Sequence, residues 1–290
     1  MSLSVIPWQV LVVTGAILTS VGQIFNKHQV HKAASFQVQI YKYLSGTVLM
    51  TYFWMINNGV LPKIWWLLLI YGISIGFIVV LYTKASRYSL SKSVVTMPIS
   101  QILGVGLAAG ILKEWQIFKI SSMAGKQMLL ALLLVPVILY LFYEKTKSVK
   151  QWSILIWIVI VWLALVKVFQ KHILTNIEPI QLIAFQYWGS LLMALIGSKV
   201  RGHKLYLGKR FALTGLIQGV FTSTAVFLYF SGLKQSTVSQ TTLLRMPVFL
   251  VLTTCFGLFI FKEIKEMTFK KWAGMGLAIL MTVLVITANY

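Results

Sequence analysis

What limits this chain most is its succession of apolar stretches, among them Trp65 to Leu81 and Met275 to Ala288. A helix rises about 1.5 Å per residue and the hydrocarbon of a bilayer is about 30 Å thick, so such stretches read as spans. Over 290 residues, 58% are hydrophobic and 11% charged, against about 25% charged in an ordinary soluble domain. Water is not the main solvent of this protein.

Apolar windows between charged or turn-like breaks predict helices at 5–26, 35–57, 64–85, 91–112 and 119–142. A second set is predicted at 151–172, 179–200, 209–231, 238–261 and 267–288. The basic segment 144–150 divides a first unit, 1–143, from a second, 151–290. The first basic side chain is Lys27, so the opening stretch lacks the start of a signal peptide and reads as a retained helix.

The two sets repeat each other. Phe25, Lys27, His28, Gln37 and Tyr43 recur 144 positions on as Phe169, Lys171, His172, Gln181 and Tyr187. Gly72, Leu81, Tyr82 and Ser89 recur at 147 as Gly219, Leu228, Tyr229 and Ser236, and Met97-Pro98, Lys113-Glu114 and Ala124-Gly125 recur at 149. The offset grows by small insertions only. Five crossings per unit bring the second unit into the membrane from the side opposite to the first, so the expected fold class is an all-α integral membrane protein of ten transmembrane helices in two inverted five-helix repeats. That plan is common among secondary transporters, whose site lies near the midplane between repeats.

With these motifs the chain resembles the drug/metabolite transporter superfamily in its ten-helix, two-repeat form, called EamA-like. The resemblance runs over essentially the whole chain and is most specific around Lys113-Glu114, within Gly110 to Gly125, and Lys262-Glu263, within Phe256 to Gly274. In that family a Gly-Glu pair commonly closes the fourth helix of each repeat; here the Glu is kept and a Lys precedes it. The resemblance implies a transporter of metabolites such as amino acids, amines or nucleotide sugars, and it leaves the substrate class open.

A charge inside hydrocarbon is expensive and marks a functional candidate. Arg245 is the clearest one, about seven residues into the ninth helix, beyond the polar run Ser239, Gln240, Thr241, Thr242 and two residues before Pro247. Proline removes an amide and clashes with the carbonyl four residues back, so a polar, broken helix lining a cavity is expected there; snorkelling to the interface is the alternative. The equivalent residue of the first repeat is Thr96. Lys42, between Tyr41 and Tyr43, similarly stands opposite the neutral Gln186. The remaining candidates for contact with substrate are Gln23, Gln101, Tyr187, Gln218 and Gln240, some of which serve as polar glue between helices. Trp157, Trp162 and Trp188 are candidates for stacking on a ring, whereas Trp152 and Trp272 lie at predicted ends and read as interface anchors.

All five carboxylates, Glu114, Glu144, Glu178, Glu263 and Glu266, fall at or beyond predicted helix ends. Without an embedded acid, proton-driven export of cations is disfavoured, and Arg245 with Lys42 favours a substrate bearing a carboxylate or phosphate. No enzyme is expected. His28 and His31 lie without a Cys or acid to complete a metal site, no nucleophile or phosphate-loop motif is present, and neither a catalytic residue nor a metal nor a cofactor is assigned. The single Cys255 cannot form an intramolecular disulfide.

The net charge of +21 lies mostly between the apolar stretches, which favours anionic lipid head groups over nucleic acid as its counterpart. Lys and Arg number 17 at odd-numbered links and 7 at even ones, a bias that puts both termini outside, while the resemblance implies cytoplasmic termini. The expected partners are a small metabolite and anionic lipids, with a homodimer compatible, in the inner cell membrane. The leading reading is a secondary transporter or exchanger of a small anionic or zwitterionic metabolite by alternating access. A translocase of an anionic lipid or lipid-linked sugar is the alternative, and a scaffold or receptor a third.

Overall fold

A computed structural model describes residues 5–30, 33–57, 59–88, 90–142, 150–260 and 268–288. Lys262-Glu263, Glu144, Glu266, His31 and most of the basic linker lie outside the described residues.

Among the described residues ten α-helices follow in order: α1 (Trp8–Val30), α2 (Ser35–Ile56), α3 (Trp65–Tyr88), α4 (Leu90–Ile111), α5 (Met123–Phe142), α6 (Lys150–Leu174), α7 (Pro179–Val200), α8 (Lys209–Gln235), α9 (Val238–Ile260) and α10 (Phe269–Thr287). Among the described residues there is no strand. Among the described residues, eight of the helices are long and apolar enough to cross a membrane, and α4 contributes a shorter apolar stretch, Ile99–Ile111. α2 is more polar than these, with Gln37, Gln39 and Lys42 near its start. The fold is that of an all-α, multi-pass membrane protein.

Most close packing is between the units rather than within them. α1 lies along α8 and α9, α6 along α3 and α4, α2 along α7 and α8, α3 along α7, and α5 along α10. These contacts come in equivalent pairs. Gln37 at the start of α2 accepts from the Ala34 amide at 2.8 Å and donates to the Lys204 carbonyl at 2.6 Å. Its equivalent, Gln181 at the start of α7, accepts from the Glu178 amide at 3.1 Å and donates to the Val60 carbonyl at 3.0 Å. Val60 and Lys204 are themselves 144 residues apart, so each unit reaches the same loop of the other.

Small residues set the closest approaches, as expected where apolar lipid removes the hydrophobic drive between helices. A Cβ on Gly72 would lie 2.5 Å from the Gln186 carbonyl oxygen, and one on Gly219 would strike the carbonyl of Lys42, the equivalent of Gln186. Between these two crossings Tyr43 and Tyr187, also equivalents, meet edge to face with ring centroids 5.6 Å apart.

On α6 the outward face is Ile154, Trp157, Ile158, Val161 and Leu165, all exposed, and the inward face is Ile156, Ile160 and Ala164, all buried. The outward stripe is apolar, as a surface against lipid must be. Continuing the inward stripe by three residues reaches Lys167.

Candidate functional site

Lys167 is only 6% exposed. Lys167 is one of the seven basic residues that the charge count assigns to even-numbered links, and the structure corrects that reading: it lies well inside α6. Its ammonium donates to Gln101 Oε1 on α4 and, at 3.2 Å, to the Thr242 hydroxyl on α9. Arg245 is near enough for its charge to act on Lys167. The Arg245 guanidinium donates to the Thr19 hydroxyl on α1 at 3.2 Å and lies 4.5 Å from the centre of the Tyr229 ring on α8. Arg245 therefore turns inward between helices of both units.

The two cations share a depth. Arg245 stands seven residues after Val238 and Lys167 seven before Leu174, each about 10 Å of helix from its end. Lys171, one turn beyond Lys167, donates to the carbonyls of Leu233 (2.9 Å) and Ser236 in the α8–α9 turn, so both depths are measured from one face. Neither cation pairs with a carboxylate among the described residues. Glu178 pairs instead with Lys234 at 2.6 Å. Glu114, 7% exposed, accepts from the Val238 and Ser239 amides at 2.9 and 3.0 Å and from the Ser239 hydroxyl at 2.8 Å. It lies beyond the end of α4, as expected, yet it is buried, and it satisfies the free amides at the positive end of the helix that carries Arg245.

The other candidates are distributed around this pair. Gln101 belongs to it directly, and Gln23 lies one turn from Thr19 on α1, accepting from Asn26 at 3.3 Å. Gln186 accepts from the Tyr71 hydroxyl at 3.2 Å, which in turn accepts from Gln170 at 2.6 Å, one turn along α6 from Lys167. Gln240 is occupied at the start of α9, where its Oε1 accepts from the Thr237 amide and hydroxyl, both at 3.1 Å. Lys42, Tyr43, Tyr187 and Gln218 gather at the α2–α8 crossing. Gly219 at that crossing and Tyr229 are ten residues apart on α8, about 15 Å, so Lys42 and Arg245 are not brought together.

Three expectations need correction. α9 runs on through Pro247 as one helix and does not break there, because loss of a single amide leaves the flanking bonds of the ladder intact. Trp157, Trp162 and Trp188 point outward and are exposed, with Trp188 donating to the Thr51 hydroxyl at 2.9 Å, so they do not stack on anything inside. Trp152, read as an interface anchor, is buried against Ala85, Ile156 and Ile160.

Residues 151–287 match the model of the EamA-like transporter family. The match covers nearly all of the second unit. The EamA-like identity is the one read from the repeated motifs, and proteins of this family are membrane transporters. No curated protein matches the chain. Matching solved structures number 25 chains; one of them, a crystal structure 13% identical, covers 97% of this chain and 96% of its own with a TM-score of 0.74. At that identity the likeness shows the fold alone, and the shared fold runs over both units.

The EamA-like motif also explains a local oddity. Lys113 has φ +56°, a left-handed conformation that favours glycine, and it is where the family commonly carries the Gly of its Gly-Glu pair. The reversal aims Glu114 at α9. Sequence reasoning found Glu114 as a motif but not this task, and it missed Lys167 altogether. The signal for Lys167 was present, since at the offset of 144 it is the equivalent of Gln23, already an interior candidate.

Proposed function

We propose that this EamA-like protein is a secondary transporter of a small metabolite bearing a carboxylate or phosphate, held between the units by Lys167 and Arg245. The observation that carries this reading is a pair of buried cations at one depth, neither of them paired with a carboxylate among the described residues. Two such charges repel, and burial of charge is costly unless something of opposite sign accompanies it. An anion seated between them supplies that partner, and Gln101, Thr242 and Thr19 offer neutral contacts beside it. Inverted repeats would let the bound anion face each side in turn by rocking of one unit against the other. Anionic lipids around the basic links, and residence in the inner cell membrane, belong to the same proposal.

Reconstituted transport tests it. Loss of one charge-assisted contact to substrate removes about 1.5–3 kcal/mol, so Arg245→Ala or Lys167→Gln is expected to lower transport by about ten- to a hundredfold. Arg245→Lys keeps the charge and retains more. Wild-type rates in the alanine variant would remove the anchor role. Thermal stabilisation across a panel of carboxylates, phosphates and anionic lipids names the class, and stabilisation by lipids alone would move the reading to lipid translocation.

A further inference from the structure

α3 and α8 are equivalents at an offset of 147, and α2 and α7 at 144. Gly72 presses on the Gln186 carbonyl as Gly219 presses on that of Lys42, and the residues just before these glycines are Tyr71 and Gln218. On the first side the polar groups are closed into a relay, Gln170 donating to Tyr71 and Tyr71 to Gln186. The equivalents on the second side are Asn26, Gln218 and Lys42, and there the relay is open. Asn26 turns away to Gln23 on its own helix. Gln218 is 2% exposed, and its side-chain carbonyl is buried without a donor. The Lys42 ammonium makes no hydrogen bond or ion pair among the described residues and has only the ring of Tyr43, 5.4 Å from its nitrogen. A buried acceptor without a donor and an embedded cation without an anion are both unfavourable, and these two do not satisfy each other.

We infer that Lys42 and Gln218 form a second binding station on the substrate's path, taking a carboxylate on Lys42 and a neighbouring N–H or O–H donor on Gln218. This rests on the transport reading above. Lys42 is seven residues into α2, which begins after one crossing, whereas α9 begins after eight, so the station lies toward the membrane face opposite to that nearest Arg245. A substrate leaving Lys167 and Arg245 meets it next. Closure of the equivalent relay by Tyr71 and Gln186 explains why the path runs past one crossing and not both.

The test uses propionate, lactate and alanine, which share a carboxylate and carry no donor, a hydroxyl or an ammonium on the second carbon. Binding is titrated by intrinsic fluorescence with full-length protein bearing Lys167→Gln and Arg245→Ala, in which the first station is removed. Lactate or alanine is expected to bind about tenfold more tightly than propionate, the worth of one buried hydrogen bond. Adding Gln218→Leu should bring that ratio close to one. Adding Lys42→Gln, the residue found at the equivalent position, should abolish binding, and Lys42→Arg should preserve it. The same ratio in protein carrying Gln218→Leu alone serves if the double variant does not fold. The station is overturned if the preference survives Gln218→Leu, if Lys42→Gln binds as well as its parent, if Lys42→Arg is as defective as Lys42→Gln, or if none of the three acids binds. Failure of the transport reading shows elsewhere, as unchanged transport by Arg245→Ala.

Discussion

Gln37 and Gln181 do the same work in the two units, each satisfying an amide at the start of its helix and a loop carbonyl of the other unit. Gln23 and Lys167, equivalents by the same offset, do not: one bonds within its own helix, the other is a buried cation on Gln101 and Thr242. The division holds elsewhere. Gly72 and Gly219, or Tyr43 and Tyr187, are alike, and each pair makes equivalent close approaches between helices. Arg245 against Thr96, Lys42 against Gln186 and Gln218 against Tyr71 differ, as the proposed transport reading expects, since a ligand with distinct ends has no two-fold symmetry of its own. On the proposed reading, likeness marks the scaffold and unlikeness marks the path.

The largest effect should come from exchanging an unlike pair. Lys167→Gln combined with Gln23→Lys conserves composition and charge but moves the cation to α1, away from Gln101 and Thr242. Transport in proteoliposomes is expected to stay about ten- to a hundredfold below wild type, as in Lys167→Gln alone. Wild-type transport by the exchanged protein would mean that the units are interchangeable here and that the comparison carries no functional content.

A like pair should instead fail equally. Gly72→Ala and Gly219→Ala each drive a methyl into the backbone of the facing helix; the Ser45 hydroxyl beside Gly219 can turn aside, but the Lys42 carbonyl there cannot. Overpacking of this kind costs about 1–3 kcal/mol, so both variants should lose thermal stability in detergent by similar amounts. A loss confined to one of them would break the scaffold equivalence.

Much of this was legible beforehand, and the exceptions have physical causes. Helix order and number followed from apolar length, but ends did not where polar residues continue a helix. α1 runs on to Val30 through Lys27, and α8 to Gln235 through Lys234, whose ammonium pairs with Glu178. α5 starts at Met123 because the Ser122 hydroxyl accepts from the Gly125 amide at 3.0 Å, a cap hidden in an otherwise turn-like run. Arg245 was visible as an isolated charge beside polar neighbours. Lys167 was not, because α6 is apolar on nearly every side and its amphipathic pattern gives no inward face; that face is set by which helices lie against it. Lys113-Glu114 was visible as a motif, and only the fold shows that the glutamate it delivers holds α9.

The smallest predicted effects come from the pair that opened the comparison. Each glutamine makes two hydrogen bonds to backbone, so truncation to alanine leaves an amide and a carbonyl to find other partners. Gln37 is buried and Gln181 only half-buried, so water can replace the bonds of the second more readily than those of the first. Gln37→Ala is therefore expected to cost about 1–2 kcal/mol and Gln181→Ala about 0.5–1 kcal/mol, read as thermal unfolding of each variant beside wild type. Transport per folded molecule should be unchanged in both, because neither side chain lies on the proposed path. A transport defect without a stability defect in either variant would show that the scaffold contacts also govern movement of one unit against the other, and the line between the two classes of position would have to be redrawn at the helix starts.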